Sequence, residues 1–108
     1  MFTFVELEPF ARMRERLFDD DEFTRLQRFL IAEPQAGDVI PGSDGCRKLR
    51  WALAGRGKRS GARMIYFVRP REDEIVLVTA YAKNVRDNID ARLLKRLRKA
   101  YEEGERNR

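Results

Sequence analysis

At 108 residues the chain has the length of one ordinary domain, and a hydrophobic fraction of 43% is enough for a single core. It contains no histidine and one cysteine, Cys46, which excludes a histidine general base, a histidine-based zinc site and any internal disulfide. The formal net charge of +5 is unevenly placed: Cys46 to Arg71 holds nine basic residues and no acidic one, residues 1–45 carry a net of −5, and residues 72–108 a net of +1.

A cationic segment inside a nearly balanced chain points to an anionic ligand, with polyphosphate the leading candidate. No apolar run approaches the roughly 20 residues that cross a bilayer. The opening Met-Phe-Thr-Phe-Val-Glu-Leu-Glu has neither a positive n-region nor a long h-region. The expectation is one domain over residues 1–108, cytoplasmic, without membrane contact; the lone cysteine fits a reducing compartment.

Taken in order, Phe2 to Leu7 alternates and predicts a short edge strand. Pro9 suits the first turn of a helix, where its missing N–H costs nothing, and Phe10, Met13 and Leu17 follow at helical spacing. Asp19-Asp20-Asp21-Glu22 reads either as a carboxylate cluster for a metal or as an N-cap with acidic residues against the helix dipole. The second is favoured, because Phe23, Leu26, Phe29 and Leu30 continue as a stripe, which Pro34 ends. Pro34 to Gly45 is a loop with Val39 and Ile40 as anchors.

Cys46 to Leu53 predicts a strand with Leu49, Trp51 and Leu53 on one face and Lys48 and Arg50 on the other. Gly55 to Gly61 is a basic hairpin connection, and Ala62 to Arg69 a second strand, with Arg63, Ile65 and Phe67 opposite Met64, Tyr66 and Val68. Pro70 to Asp73 is a turn. Glu74 to Ala82 is the most apolar run and predicts a central strand. Strict alternation there places Tyr81 and Lys83 on the face of Ile75, Leu77 and Thr79. Asp90 is a candidate N-cap for a last helix, whose stripe is Ile89, Leu93, Leu94, Leu97 and Tyr101, with Arg92, Lys95, Arg96, Arg98 and Lys99 on its other faces. The order predicts an α+β fold: a small, mainly antiparallel sheet, two N-terminal helices and one C-terminal helix, packed on one face.

Several groups of residues bear on chemistry. Gly55-Arg56-Gly57-Lys58-Arg59-Ser60-Gly61 lacks the spacing of a P-loop and sits between strands. Its glycines permit close approach of a ligand and its cations suit phosphate. A solvated hairpin is the plain alternative; Lys48, Arg50 and Arg63 on the flanking strands favour an anion site. Tyr81 and Lys83 end the central strand and read either as a proton-transfer pair or as a core-edge aromatic beside a solvated lysine. Trp51 and Tyr66 read as core before they read as base-stacking platforms. Cys46 reads as a small buried residue. The basic last helix divides evenly between a solvated face and a contact with nucleic acid or an acidic partner.

The pieces Gly-Asp-Val-Ile-Pro-Gly (37–42), Gly-Cys-Arg-Lys-Leu-Arg (45–50), Gly-Lys-Arg-Ser-Gly-Ala-Arg-Met-Ile-Tyr (57–66) and Tyr-Ala-Lys-Asn (81–84) resemble, in this order and spacing, the RelE/HigB-type toxins of bacterial toxin–antitoxin pairs. The resemblance implies the compact RelE-type fold. It also implies an endoribonuclease that cuts messenger RNA, usually in the ribosomal A site, with a helix-turn-helix antitoxin as partner and operator DNA met only through the antitoxin complex. By position, Lys58, Arg59 and Arg63 resemble the cations around the scissile phosphate, and Tyr81 and Lys83 the strand-end residues that complete such a site. Catalysis is accordingly expected from Lys58, Arg63, Tyr81 and Lys83, and RNA binding from Lys48, Arg50, Arg56 and Arg59, with no metal and no cofactor. Val85 stands where relatives often carry an acidic residue. Two rival readings keep the fold or the charge alone: a ParE-type toxin acting on a protein such as gyrase, or a non-catalytic basic module for nucleic acid.

Overall fold

The computed structural model describes residues 2–53, 61–84 and 89–106, with side chains through Gly104. Strand β1 (Thr3–Glu6) leads into helices α1 (Glu8–Leu17) and α2 (Asp20–Ala32). A short β2 (Asp38–Val39) precedes β3 (Arg47–Ala52), β4 (Gly61–Arg69) and β5 (Glu74–Ala82), and α3 (Ala91–Arg106) closes the order. The sheet runs β1-β5-β4-β3-β2. β1 lies parallel to β5, and the other pairs are antiparallel.

Local chemistry accounts for the element ends. Pro9 stands in the first turn of α1. The Asp19 carboxylate accepts from the Glu22 backbone N–H at 2.7 Å, and the Glu22 carboxylate accepts from the Asp19 N–H at 3.1 Å. This reciprocal capping box satisfies two donors at the start of α2. The acidic run is therefore a helix start, and no cluster able to hold a metal occurs among the described residues. Asp90 caps α3, accepting from the Arg92 N–H at 2.9 Å. Between β4 and β5, Asp73 takes the left-handed conformation at φ 53° and turns the chain.

Two features differ from the sequence reading. The helices cover both faces of the sheet. Phe10, Leu17, Phe23, Leu26 and Leu30 of α1 and α2 bury Leu49, Met64, Tyr66 and Leu77 on one side. Leu94 of α3, with the partly buried Leu97 and Tyr101, covers Ile65, Phe67, Val76 and Val78 on the other. Near-continuous apolarity of β5 is what a strand covered on both faces requires. The second difference is a bulge: Ile65 lies opposite Thr79 and Tyr66 opposite Leu77, so Val78 has no counterpart on β4. The extra residue shifts the alternation. Ile75 and Leu77 face α1 and α2, whereas Tyr81 joins the α3 side with Val76 and Val78. Of the two loop anchors, Ile40 packs and Val39 is 51% exposed.

Candidate functional site

The bulge moves Tyr81 to the face that carries Arg63. In register, Arg50 lies opposite Arg63 on β4, and Arg63 opposite Tyr81 on β5. Adjacent strands are about 4.8 Å apart, so the three side chains form one row about 10 Å wide. Lys48, two residues before Arg50, shares that face by alternation and is half-buried, while Arg50 is exposed. Lys83 follows β5; its backbone N–H donates to the Gly61 carbonyl at 2.9 Å, and its side chain is exposed. The structure thus brings together Lys48, Arg50, Arg63, Tyr81 and Lys83. Arg56, Lys58 and Arg59 lie outside the described residues.

Arg63 is the unusual member. It is 8% exposed, yet no carboxylate or other hydrogen-bond acceptor pairs with it among the described residues. Its guanidinium reaches back along its own strand: Nη1 would lie 3.8 Å from a Cβ placed on Gly61. The same Cβ would stand 3.2 Å from the Trp51 carbonyl oxygen, so a side chain at this position would crowd β3 and lie in contact with the guanidinium. Gly61, read from sequence as the end of a flexible hairpin, is instead a close-approach point beside the row. Its signal in the sequence is a glycine two residues before the central arginine.

The rest of the cationic segment separates into structural and available charges. The Arg47 Nη1 donates to the carbonyls of Gln35 at 3.1 Å and Gly37 at 2.8 Å, holding the loop before β2. Arg69 donates to the Glu74 carboxylate at 2.8 Å and lies 3.5 Å from Glu72 and 3.8 Å from Glu102. Burial alone would lower the Arg69 pKa, but Glu72 and Glu74 outweigh it and hold the guanidinium more firmly charged. These two arginines, Arg69 at the opposite end of β4 and Arg47 at the start of β3, hold the fold together. Trp51 packs against Phe29 with ring centroids 5.7 Å apart, and Tyr66 is fully buried, so both are core residues. Burial pushes the Cys46 thiol up, against a smaller opposing effect of Arg98, which keeps it from acting as a thiolate.

The row is chemically simple. Two guanidiniums and two ammoniums share one face of the sheet with a phenol, an arrangement that suits a phosphodiester. The solved structure of a double arginine-to-alanine mutant of E. coli toxin RelE in the free state is similar to this one, with a TM-score of 0.51 at 15% identity, over 73% of this chain and 80% of that one. At that identity the likeness establishes the fold. The family model for the RelE toxin of the RelE/RelB toxin–antitoxin system matches residues 36–105, a span that contains β2 to β5, the whole described row and most of α3. The chain therefore belongs to the RelE toxin family, the toxin side of a toxin–antitoxin pair whose other member is an antitoxin.

Proposed function

We propose that the protein is an endoribonuclease that cleaves messenger RNA, in the ribosomal A site, by attack of a 2′-hydroxyl on the adjacent phosphate. The observation that carries this reading is Arg63: an 8% exposed guanidinium, in register between Arg50 and Tyr81, with no anionic partner among the described residues. A buried charge without a counter-ion is costly, and a scissile phosphate would supply the counter-ion.

The reaction requires a base for the 2′-hydroxyl, an acid for the departing 5′-oxygen, and cations for the charge that builds on the phosphoryl oxygens. Arg63 fits the last role, since its planar fork stays charged and can donate two parallel hydrogen bonds. Tyr81, directly across the strand pair, fits proton donation to the leaving oxygen. Lys83 and Lys58 are the candidate bases, Lys58 falling outside the described residues. Lys48, Arg50, Arg56 and Arg59 would hold the RNA backbone on either side. Without a histidine, proton transfer is weak, so the ribosome has to supply substrate position as well as substrate. The antitoxin would then act by withholding this surface, and operator DNA would be met through the toxin–antitoxin complex.

The test is brief induction of the protein without antitoxin, followed by primer extension on cellular mRNA. Discrete cuts within translated frames, absent with Arg63→Ala, support the proposal. Growth arrest with intact mRNA and damaged DNA would replace it with a gyrase-directed toxin.

A further inference from the structure

The outer edge of β3 is open beside the row. The Cys46 carbonyl accepts from the Ile40 N–H at 2.8 Å, so the backbone groups of Cys46 point away from β4. Those of every second residue after it, Lys48, Arg50 and Ala52, point the same way. Strand β2 covers Arg47 and Lys48 and goes no further. The backbone N–H and C=O groups of Arg50 and Ala52 therefore have no partner among the described residues. The two sides of this edge differ in chemistry. On one side stand the exposed Arg50 and the half-buried Lys48, with Arg63 one strand inward. On the other, Phe29 of α2 is 36% exposed and lies against Trp51, ring centroids 5.7 Å apart.

We infer that this edge accepts a strand of the antitoxin, laid antiparallel to β3, with carboxylates on its Arg50 side and apolar residues on its Phe29–Trp51 side. The inference extends the reading above, in which the antitoxin withholds the row from RNA. An unpaired strand edge is a template for another chain: main-chain hydrogen bonds give affinity, and alternate side chains give specificity. Charge selects the occupant. A second copy of β3 would set two Lys48–Arg50 faces side by side, where like charges repel. A nucleic acid has no peptide ladder for the open N–H and C=O groups. A carboxylate opposite Arg50 adds a fourth position to the row, about 5 Å outside Arg50. There it meets a guanidinium that has no carboxylate partner among the described residues.

The probe is a capped peptide, acetyl-Thr-Glu-Val-Glu-Val-Glu-Thr-amide, titrated into the intact chain. Binding should slow amide exchange at Arg50 and Ala52. In an antiparallel ladder the residue opposite Arg50 exchanges both hydrogen bonds with it. An N-methyl group on the central Glu should therefore weaken binding at least about tenfold, whereas one on the following Val, whose N–H points outward, should change it less than about threefold. Equal losses from the two, or equal binding by a scrambled peptide of the same charge, would overturn the inference. The occupant is tested with Ala52→Pro, which removes an outward donor and spares the β4 ladder. With circular dichroism unchanged, this variant should bind the co-expressed antitoxin at least about tenfold more weakly and keep its cleavage activity. Unchanged antitoxin binding would overturn the assignment, as would a dimer of the chain that Ala52→Pro dissolves, which gives the edge to a second copy. Should Ala52→Pro not fold, the N-methyl pair on the wild type still decides the strand. If the peptide binds in this pattern and the wild type cuts no RNA, the nuclease reading fails and the strand site stands.

Discussion

Arg50 and Arg63 face each other directly across β3 and β4, a position where like charges destabilise a sheet. On the proposed reading, stability is traded for a site, and the trade is measurable. Arg63→Ala should lower cleavage by about 10²–10³-fold, the effect of removing one preorganised donor, about 2.7–4 kcal/mol. It should leave the urea midpoint unchanged or raise it. Arg63→Lys keeps the charge and loses the fork, and should recover only part of the activity. Tyr66 is the counter-case, a residue whose polar atom serves the fold. Its hydroxyl donates to the Pro34 carbonyl at 2.8 Å and accepts from the Gly37 N–H at 2.9 Å. A Cβ on Gly37 would meet the Tyr66 ring at 3.0 Å. Tyr66→Phe leaves the buried Gly37 N–H unpaired and should cost about 1–3 kcal/mol in denaturant unfolding.

Burial also raises the Tyr66 pKa above its ordinary 10.0, and that of Cys46 above 9.0. Both groups therefore stay protonated in the folded chain at a pH where the unfolded chain ionises. Stability contributed by each is complete below its unfolded value and declines as pH rises through it. Urea midpoints should fall progressively above pH 9, and Tyr66→Phe should flatten the part of the slope above pH 10.

At the scale of elements, the sequence was most legible where a single local rule governs. The α2 start was readable because Asp19 and Glu22 form a capping box; Asp19→Ala should lower stability by about 1 kcal/mol, seen as a reduced Tm. The faces of β3 and β4 followed from strict alternation within each strand; the register between them is what brings Lys48 and Arg50 to the face of Arg63. Alternation failed on β5 because the extra residue at Val78 has no signal in a run of apolar side chains, and so Tyr81 was assigned to the wrong face. The one-sided sheet was wrong for a related reason. Leu94, Leu97 and Tyr101 mark α3 as amphipathic but do not say which face of the sheet receives it. Counting charge along the chain also merged two populations, since Arg47 and Arg69 hold loop and helix while Arg50 and Arg63 have no carboxylate partner among the described residues. That division depends on carboxylates and carbonyls distant in sequence.

For the whole molecule, the fold separates its tasks by direction. One end of the sheet carries the row of Arg50, Arg63 and Tyr81. The other end is closed by Arg69, which joins Glu74 of β5 to Glu102 of α3 and stacks over Tyr101 at 5.3 Å. Arg98 adds to this by lying over Phe67 at 4.6 Å and donating to the Asp44 carbonyl at 2.9 Å. Because these contacts pin α3, Arg69→Ala should loosen the helix and expose the Ile65–Phe67–Val76–Val78 surface, detectable as faster amide exchange in α3, with the α1–α2 side unaffected.

The proposed ribonuclease activity is tested by cleavage of a defined messenger on purified programmed ribosomes by wild type and by Arg63→Ala, with both proteins shown to be folded. The wild type should make discrete A-site cuts without added metal, and the variant should lose at least about 10²-fold in activity. Equal cleavage by folded Arg63→Ala, or no cleavage by the wild type, would contradict it.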